Sequence, residues 1–115
     1  MFSSLGNVAR VMDDVENKDV AVNAYDRLSG RTLLHEVAAS GQLLLAEFLI
    51  QHGANPNARS LLTRETPLFA AVANDQVHMV LLLLTNGSRT DNRDKRYATA
   101  LHYVESAECL RLLLN

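Results

Sequence analysis

A unit of 33–34 residues recurs along the chain, and no other feature narrows the possible folds as far. Thr32-Leu33-Leu34-His35 returns as Thr66-Pro67-Leu68-Phe69 and again as Thr99-Ala100-Leu101-His102, so the threonines are 34 and then 33 positions apart. A second landmark keeps the same step: Gly53-Ala54-Asn55-Pro56-Asn57-Ala58 recurs as Gly87-Ser88-Arg89-Thr90-Asp91-Asn92. Val20-Ala21-Val22-Asn23-Ala24 stands where the exit of a preceding unit would fall. Self-similarity at this period signals a solenoid, in which each unit is too small to bury its own apolar face and stacks on its neighbours instead.

Each position of the unit has a physical reading. Thr32, Thr66 and Thr99 stand just before apolar helical runs, where a hydroxyl can cap an orphan backbone N–H. Pro67 follows its threonine at the first helical turn, where proline loses no hydrogen bond. Gly41 separates two helical patterns and suits the left-handed residue that stops the first, a role that Asn74-Asp75 takes in the next unit. The second helices, Leu43 to Ile50 and Val77 to Leu84, are apolar on more than one side, which predicts burial between neighbouring units. Val8, Val11, Met12 and Val15 form a single i, i+3, i+4, i+7 stripe opposed by Arg10, Asp13, Asp14 and Glu16, the pattern of a one-sided capping helix. After Thr99 the last unit is cut short, with its first helix reduced and its second carried by Ala107 to Asn115.

With a Thr-Pro-Leu-His-like helix start and a Gly-Ala-Asp-Val-Asn-like exit, the unit resembles the ankyrin repeat over residues 20–115. The match is densest from Gly30 to Ala58, at Thr32, Leu34, His35, Ala38, Ala39, Gly41, Leu49, Gly53, Ala54, Asn57 and Ala58. Leu33 and Ala100 depart from the family's proline, Phe69 from its histidine and Asp75 from its glycine. The resemblance implies an all-α ankyrin-repeat solenoid of stacked helix-turn-helix units with hairpin loops, an N-terminal capping helix and a shortened final repeat. It implies one domain over residues 1–115: a cap at 1–22, repeats at 23–56 and 57–90, and the shortened repeat at 91–115. The layout resembles that of a small stand-alone ankyrin protein. His35 and His102 hold the family's histidine position, where the ring ties hairpin to helix.

The resemblance also implies a non-enzymatic protein-interaction module, an inhibitor or adaptor that meets its partner through hairpin tips and the concave face. Charge sharpens that expectation. The tips carry Arg27, Arg31, Arg59, Arg64, Arg89, Arg93, Lys95 and Arg96 against Asp26, Glu65, Asp91 and Asp94, whereas the remainder has three basic and nine acidic residues. A chain of net charge −2 is thus divided into a basic edge and an acidic back. The candidate partner-binding residues are Arg27, Leu28, Arg31, Leu61, Leu62, Arg64, Lys95, Arg96 and Tyr97, which suit a protein partner with an acidic surface and an apolar anchor. Two other readings compete: the ankyrin portion of a larger scaffold or ubiquitin-ligase receptor, and a nucleic-acid or anionic-membrane contact through the basic edge, disfavoured by the net charge.

Nothing in the pattern points to chemistry. His35, His52, His78 and His102 are 17, 26 and 24 positions apart, with no pairing of metal ligands on one helical face. No glycine-rich phosphate loop is present, so neither a cofactor nor a small-molecule substrate is expected. Cys109, the single cysteine, excludes an internal disulfide and fits a reducing compartment, cytoplasmic or nuclear. No apolar stretch approaches a membrane span, and a monomer is expected for the chain alone.

Overall fold

The structure, a computed structural model, describes residue 12 and residues 21–114. The three threonines lie in extended backbone directly before helical segments, as the repeat predicts. Among residues 21–114 there are five α-helices: α1 Leu33–Ser40, α2 Leu43–Gln51, α3 Pro67–Ala73, α4 Val77–Thr85 and α5 Ala107–Leu114. In the last unit, the first helix is reduced to a 3-10 turn at Ala100–Tyr103. The described elements are helical, apart from an isolated bridge between Tyr25 and Thr32. Met12 is helical and packs on the core. The rest of the predicted capping stripe, Val8, Val11 and Val15, lies outside the described residues.

Stacking follows the chain. α1 packs on α3 and α3 on the 3-10 turn, while α2 packs on α4 and α4 on α5. Small side chains make the inner layer close: Ala38, Ala71 and Ala100 are buried among Leu34, Val37, Leu68 and Val72. Leu45 and Leu49, then Met79 and Leu83, then Cys109 form the second layer, each nearly inaccessible to water. Removing a leucine from such a layer costs about 2–5 kcal/mol through lost transfer energy and the cavity left behind.

The second helices are less enclosed than their composition predicts. Leu44 is 79% exposed and Leu81 47%. Neighbouring repeats cover the flanks of α2 and α4 and the first helices cover their inner side, but no element among the described residues stacks on the outer face.

The cap chemistry also differs between units. His35 is fully buried, and its Nδ1 accepts the Thr32 backbone N–H at 3.1 Å and lies 2.8 Å from the Thr32 hydroxyl. Its Nε2 faces the Glu65 carbonyl in the next repeat at 2.7 Å, which assigns the ring proton to Nε2. His102 repeats the bond to the Thr99 N–H but is exposed, and its Nε2 has no partner among the described residues. At the middle unit Phe69 offers no ring nitrogen, and the Thr66 hydroxyl is buried without a hydrogen-bond partner. Thr66 therefore begins its helix by backbone conformation alone, not by the hydroxyl cap that its sequence position predicts.

Between the helix pairs, Gly41 takes the left-handed conformation at φ 74°, and Asp75 takes it at φ 52° in the next unit, as predicted. Gln76 fills the space that a Cβ at Gly41 would occupy and donates from Nε2 to the Ala39 carbonyl at 3.1 Å. The predicted exit landmark proves to be a ladder of asparagines. Asn23 donates to the Gly53 carbonyl and accepts the Asn55 N–H, and Asn57 does the same for Gly87 and Arg89 one repeat later.

Candidate functional site

Three hairpins project between the helix pairs, and all are built on one plan. The Asp26 N–H bonds the Arg31 carbonyl, the Ser60 N–H that of Glu65 and the Asp94 N–H that of Ala98, each at 2.8 Å. Adjacent hairpins are joined edge to edge, with the Leu61 N–H donating to Gly30 and the Lys95 N–H to Thr63, both at 2.8 Å. One tip position is left-handed in every hairpin: Gly30 at φ 70°, Arg64 at φ 63° and Tyr97 at φ 65°.

The candidate residues fall along this edge in different settings. Leu28 is 92% exposed beside Arg27 on the first hairpin. Arg31 lies 3.5 Å from Glu36 and is partly committed to that pair. Leu61 and Leu62 sit against Gly30, yet both remain more than 60% exposed. Arg64, Lys95, Arg96 and Tyr97 are exposed on the second and third hairpins.

A groove of about 590 Å³ lies between those two hairpins. Of the candidates it gathers Arg64, Lys95 and Tyr97, and it adds Arg59 and Arg93. Arg27, Leu28, Arg31, Leu61, Leu62 and Arg96 do not line it. Arg59 and Arg93 belong to the basic tips but were not singled out by sequence. The available signal was their spacing of 34 positions, which gives them equivalent places in successive hairpins.

Both acids on the groove wall are already engaged. Asp91 forms a two-pronged pair with the Arg89 guanidinium, both contacts at 3.0 Å, and that hydrogen bonding lowers its pKa and raises that of Arg89. Asp94 is buried, and its carboxylate accepts the Tyr103 hydroxyl together with the Arg96 and Ala98 N–H groups. Burial opposes ionisation of Asp94, but these hydrogen bonds outweigh it and hold the pKa below the usual carboxylate value.

The groups with chemical potential elsewhere serve the packing. Burial, assisted by the Arg31 cation and opposed by the bond to Glu65, holds His35 at a pKa of about 4, so the ring is neutral and spent on its three contacts. The Cys109 thiol is buried, its pKa raised first by desolvation and further by Asp75, whose Oδ1 lies 3.5 Å away, which disfavours the nucleophilic thiolate. Among the described residues no three His, Cys, Asp or Glu side chains are grouped to hold a metal ion, and no helix is long and apolar enough to cross a membrane.

A family model described as ankyrin repeats, in three copies, matches residues 34–115. The chain is 35% identical over 88 residues to the 26S proteasome non-ATPase regulatory subunit 10 of Dictyostelium discoideum, covering 76% of this chain and 37% of that protein. It is 33% identical over 87 residues to human ankyrin repeat and SOCS box protein 6, covering 71% of this chain and 21% of that one. It is 32% identical over 89 residues to the glycerophosphocholine phosphodiesterase gde1 of Schizosaccharomyces pombe, of which it covers 8%. The chain therefore spans well under half the length of these relatives. Among solved structures, the ankyrin repeat domain of Bcl-3 superposes with a TM-score of 0.84 at 24% identity, over 95% of this chain and 49% of that one. At that identity the likeness shows the fold alone.

Proposed function

The chain belongs to the ankyrin-repeat family, a protein-protein interaction fold, and from that premise we propose that it binds an acidic protein partner through its hairpin edge. It acts as an inhibitor or adaptor by occupying the partner's surface, without catalysis, in a reducing cytoplasmic or nuclear compartment that suits its lone thiol. One observation carries this reading. The edge sets exposed Leu28, Leu61, Leu62 and Tyr97 beside Arg27, Arg64, Lys95 and Arg96, which form no ion pair among the described residues, a pairing of apolar anchors with steering charge. Affinity capture from native lysate, with wild type beside the Arg27→Glu, Arg64→Glu, Arg96→Glu triple variant, tests it. Loss of the captured partner in the variant is expected; retention at wild-type level overturns the reading.

A second reading, that these repeats are one portion of a larger scaffold or ubiquitin-ligase receptor, is favoured by the last face of the stack. There Leu101, His102, Leu110 and Leu114 are exposed, and His102 makes no carbonyl contact among the described residues like the one His35 makes to its following repeat. Light scattering separates the two: association through that face supports the scaffold, and a monomer with a cooperative melt supports the self-sufficient module.

A further inference from the structure

Four cations converge on the groove between the second and third hairpins, and no carboxylate among the described residues neutralises them. Arg59, Arg64, Arg93 and Lys95 line it with Tyr97, and none takes part in an ion pair there. Asp91 is held by Arg89, and Asp94 is turned inward onto Tyr103 and two backbone N–H groups. Clustered like charges repel one another, so an anion entering this concavity is attracted by all four and relieves that repulsion. Arg59 bridges the walls, its guanidinium donating to the Arg93 carbonyl and its Nε to the Arg64 carbonyl at 3.4 Å.

The backbone makes an independent argument. The left-handed tip position that Gly30 fills in the first hairpin is held by Arg64 and Tyr97 in the two hairpins that wall the groove. Glycine adopts that conformation freely, whereas residues with a Cβ are strained in it, and such strain concentrates where the side chain has a task. Both strained side chains line the same cavity.

We propose that this groove receives a phosphorylated side chain on a partner's peptide, a dianionic phosphomonoester held by Arg64, Arg93 and Lys95, with Tyr97 against the neighbouring peptide residue. The assignment rests on the hairpin edge being a protein-binding surface and names the chemistry that it reads. A phosphomonoester brings nearly two negative charges and three acceptor oxygens, which guanidinium forks satisfy together; one carboxylate would leave most of the cations unanswered. A peptide fits better than a polyanionic nucleic acid or bilayer. Leu61 and Leu62 offer an apolar anchor on the same edge, the chain is net negative, and the groove holds a single aromatic ring and no stacking series.

The test titrates the isotope-labelled full chain with three degenerate nonapeptide pools, whose central residue is phosphoserine, glutamate or serine. Phosphoinositide-bearing phosphatidylcholine vesicles and a single-stranded oligonucleotide are the further arms. The phosphoserine pool is expected to shift the amide signals of Arg59, Arg64, Arg93, Lys95 and Tyr97, and to bind on the order of tenfold more tightly than the glutamate pool. Arg64→Gly and Tyr97→Gly should each melt above wild type, because glycine accepts the left-handed backbone, while weakening the phosphoserine pool on the order of tenfold; loss of binding then cannot be loss of folding. Equal binding of the phosphoserine and glutamate pools, saturation by vesicles or oligonucleotide but not by peptide, or wild-type affinity in Arg64→Gly overturns the proposal. If the phosphoserine pool fails while the triple reversal still abolishes partner capture, the groove assignment falls and the wider binding reading stands.

Discussion

Acidification should destabilise this chain through His35, and the size of the effect follows from the ring's contacts. Nδ1 accepts a hydrogen bond from the Thr32 N–H and faces its hydroxyl, and Nε2–H donates to the Glu65 carbonyl across the repeat boundary, so a second ring proton would set N–H against N–H in a site closed to water. The folded pKa of about 4 lies below the ordinary 6.5, chiefly because burial penalises the charged ring. The unfolded chain therefore binds more protons below pH 6.5, and stability falls as the pH drops from about 6.5 towards about 4. At 1.36 kcal/mol per unit the complete difference is about 3 kcal/mol, most of which has gone by about pH 4.5. Glu65, whose pKa burial raises, works in the opposite sense, since its carboxyl is protonated more readily in the folded state. The control is His35→Phe, which copies what the chain itself places at Phe69 and leaves Glu65 in position. Urea unfolding followed by circular dichroism between pH 7.5 and 4.5 should show the stability advantage of wild type over His35→Phe shrinking by about 2–3 kcal/mol, with the shared Glu65 contribution largely cancelling. A difference independent of pH would refute the assignment of a buried, neutral ring.

Other perturbations report on single features of the stack. Thr66→Val removes a buried hydroxyl with no partner, and should raise stability by about 1 kcal/mol in the same urea assay. Asp75→Gly relieves a left-handed aspartate and should raise stability by about 1 kcal/mol, whereas Gly41→Ala, strained and in collision with Gln76, should lower it by at least about 1 kcal/mol; thermal melts read both. Asn57→Ala deletes two inter-repeat hydrogen bonds and should cost about 1–2 kcal/mol, with amide exchange at Arg89 accelerated because its acceptor is gone.

Much of the architecture was legible in the sequence because the repeat states the same instruction several times. Each threonine, each left-handed stop and each buried leucine has a counterpart 33–34 positions away, so the period alone placed the helix starts, the stops at Gly41 and Asp75, and the shortened last unit. Charge composition likewise marked the hairpin edge as basic. What the sequence left open depends on neighbours distant along the chain. Burial of Leu44 and Leu81 was expected from composition, but burial is decided by what stacks outside a helix, and none of the described residues stacks there. The Thr66 hydroxyl is orphaned only because the residue three positions on is Phe69 and the site is closed to water. The basic groove required tertiary structure most of all. Arg59 and Arg93 are separated by 34 residues, and only the edge-to-edge joining of hairpins brings them together, while Asp91 and Asp94, which a charge count would set against them, are turned to Arg89 and Tyr103. Local pattern fixes which residues form each unit; the side chains left unpaired on its edge are decided by how one unit docks on the next.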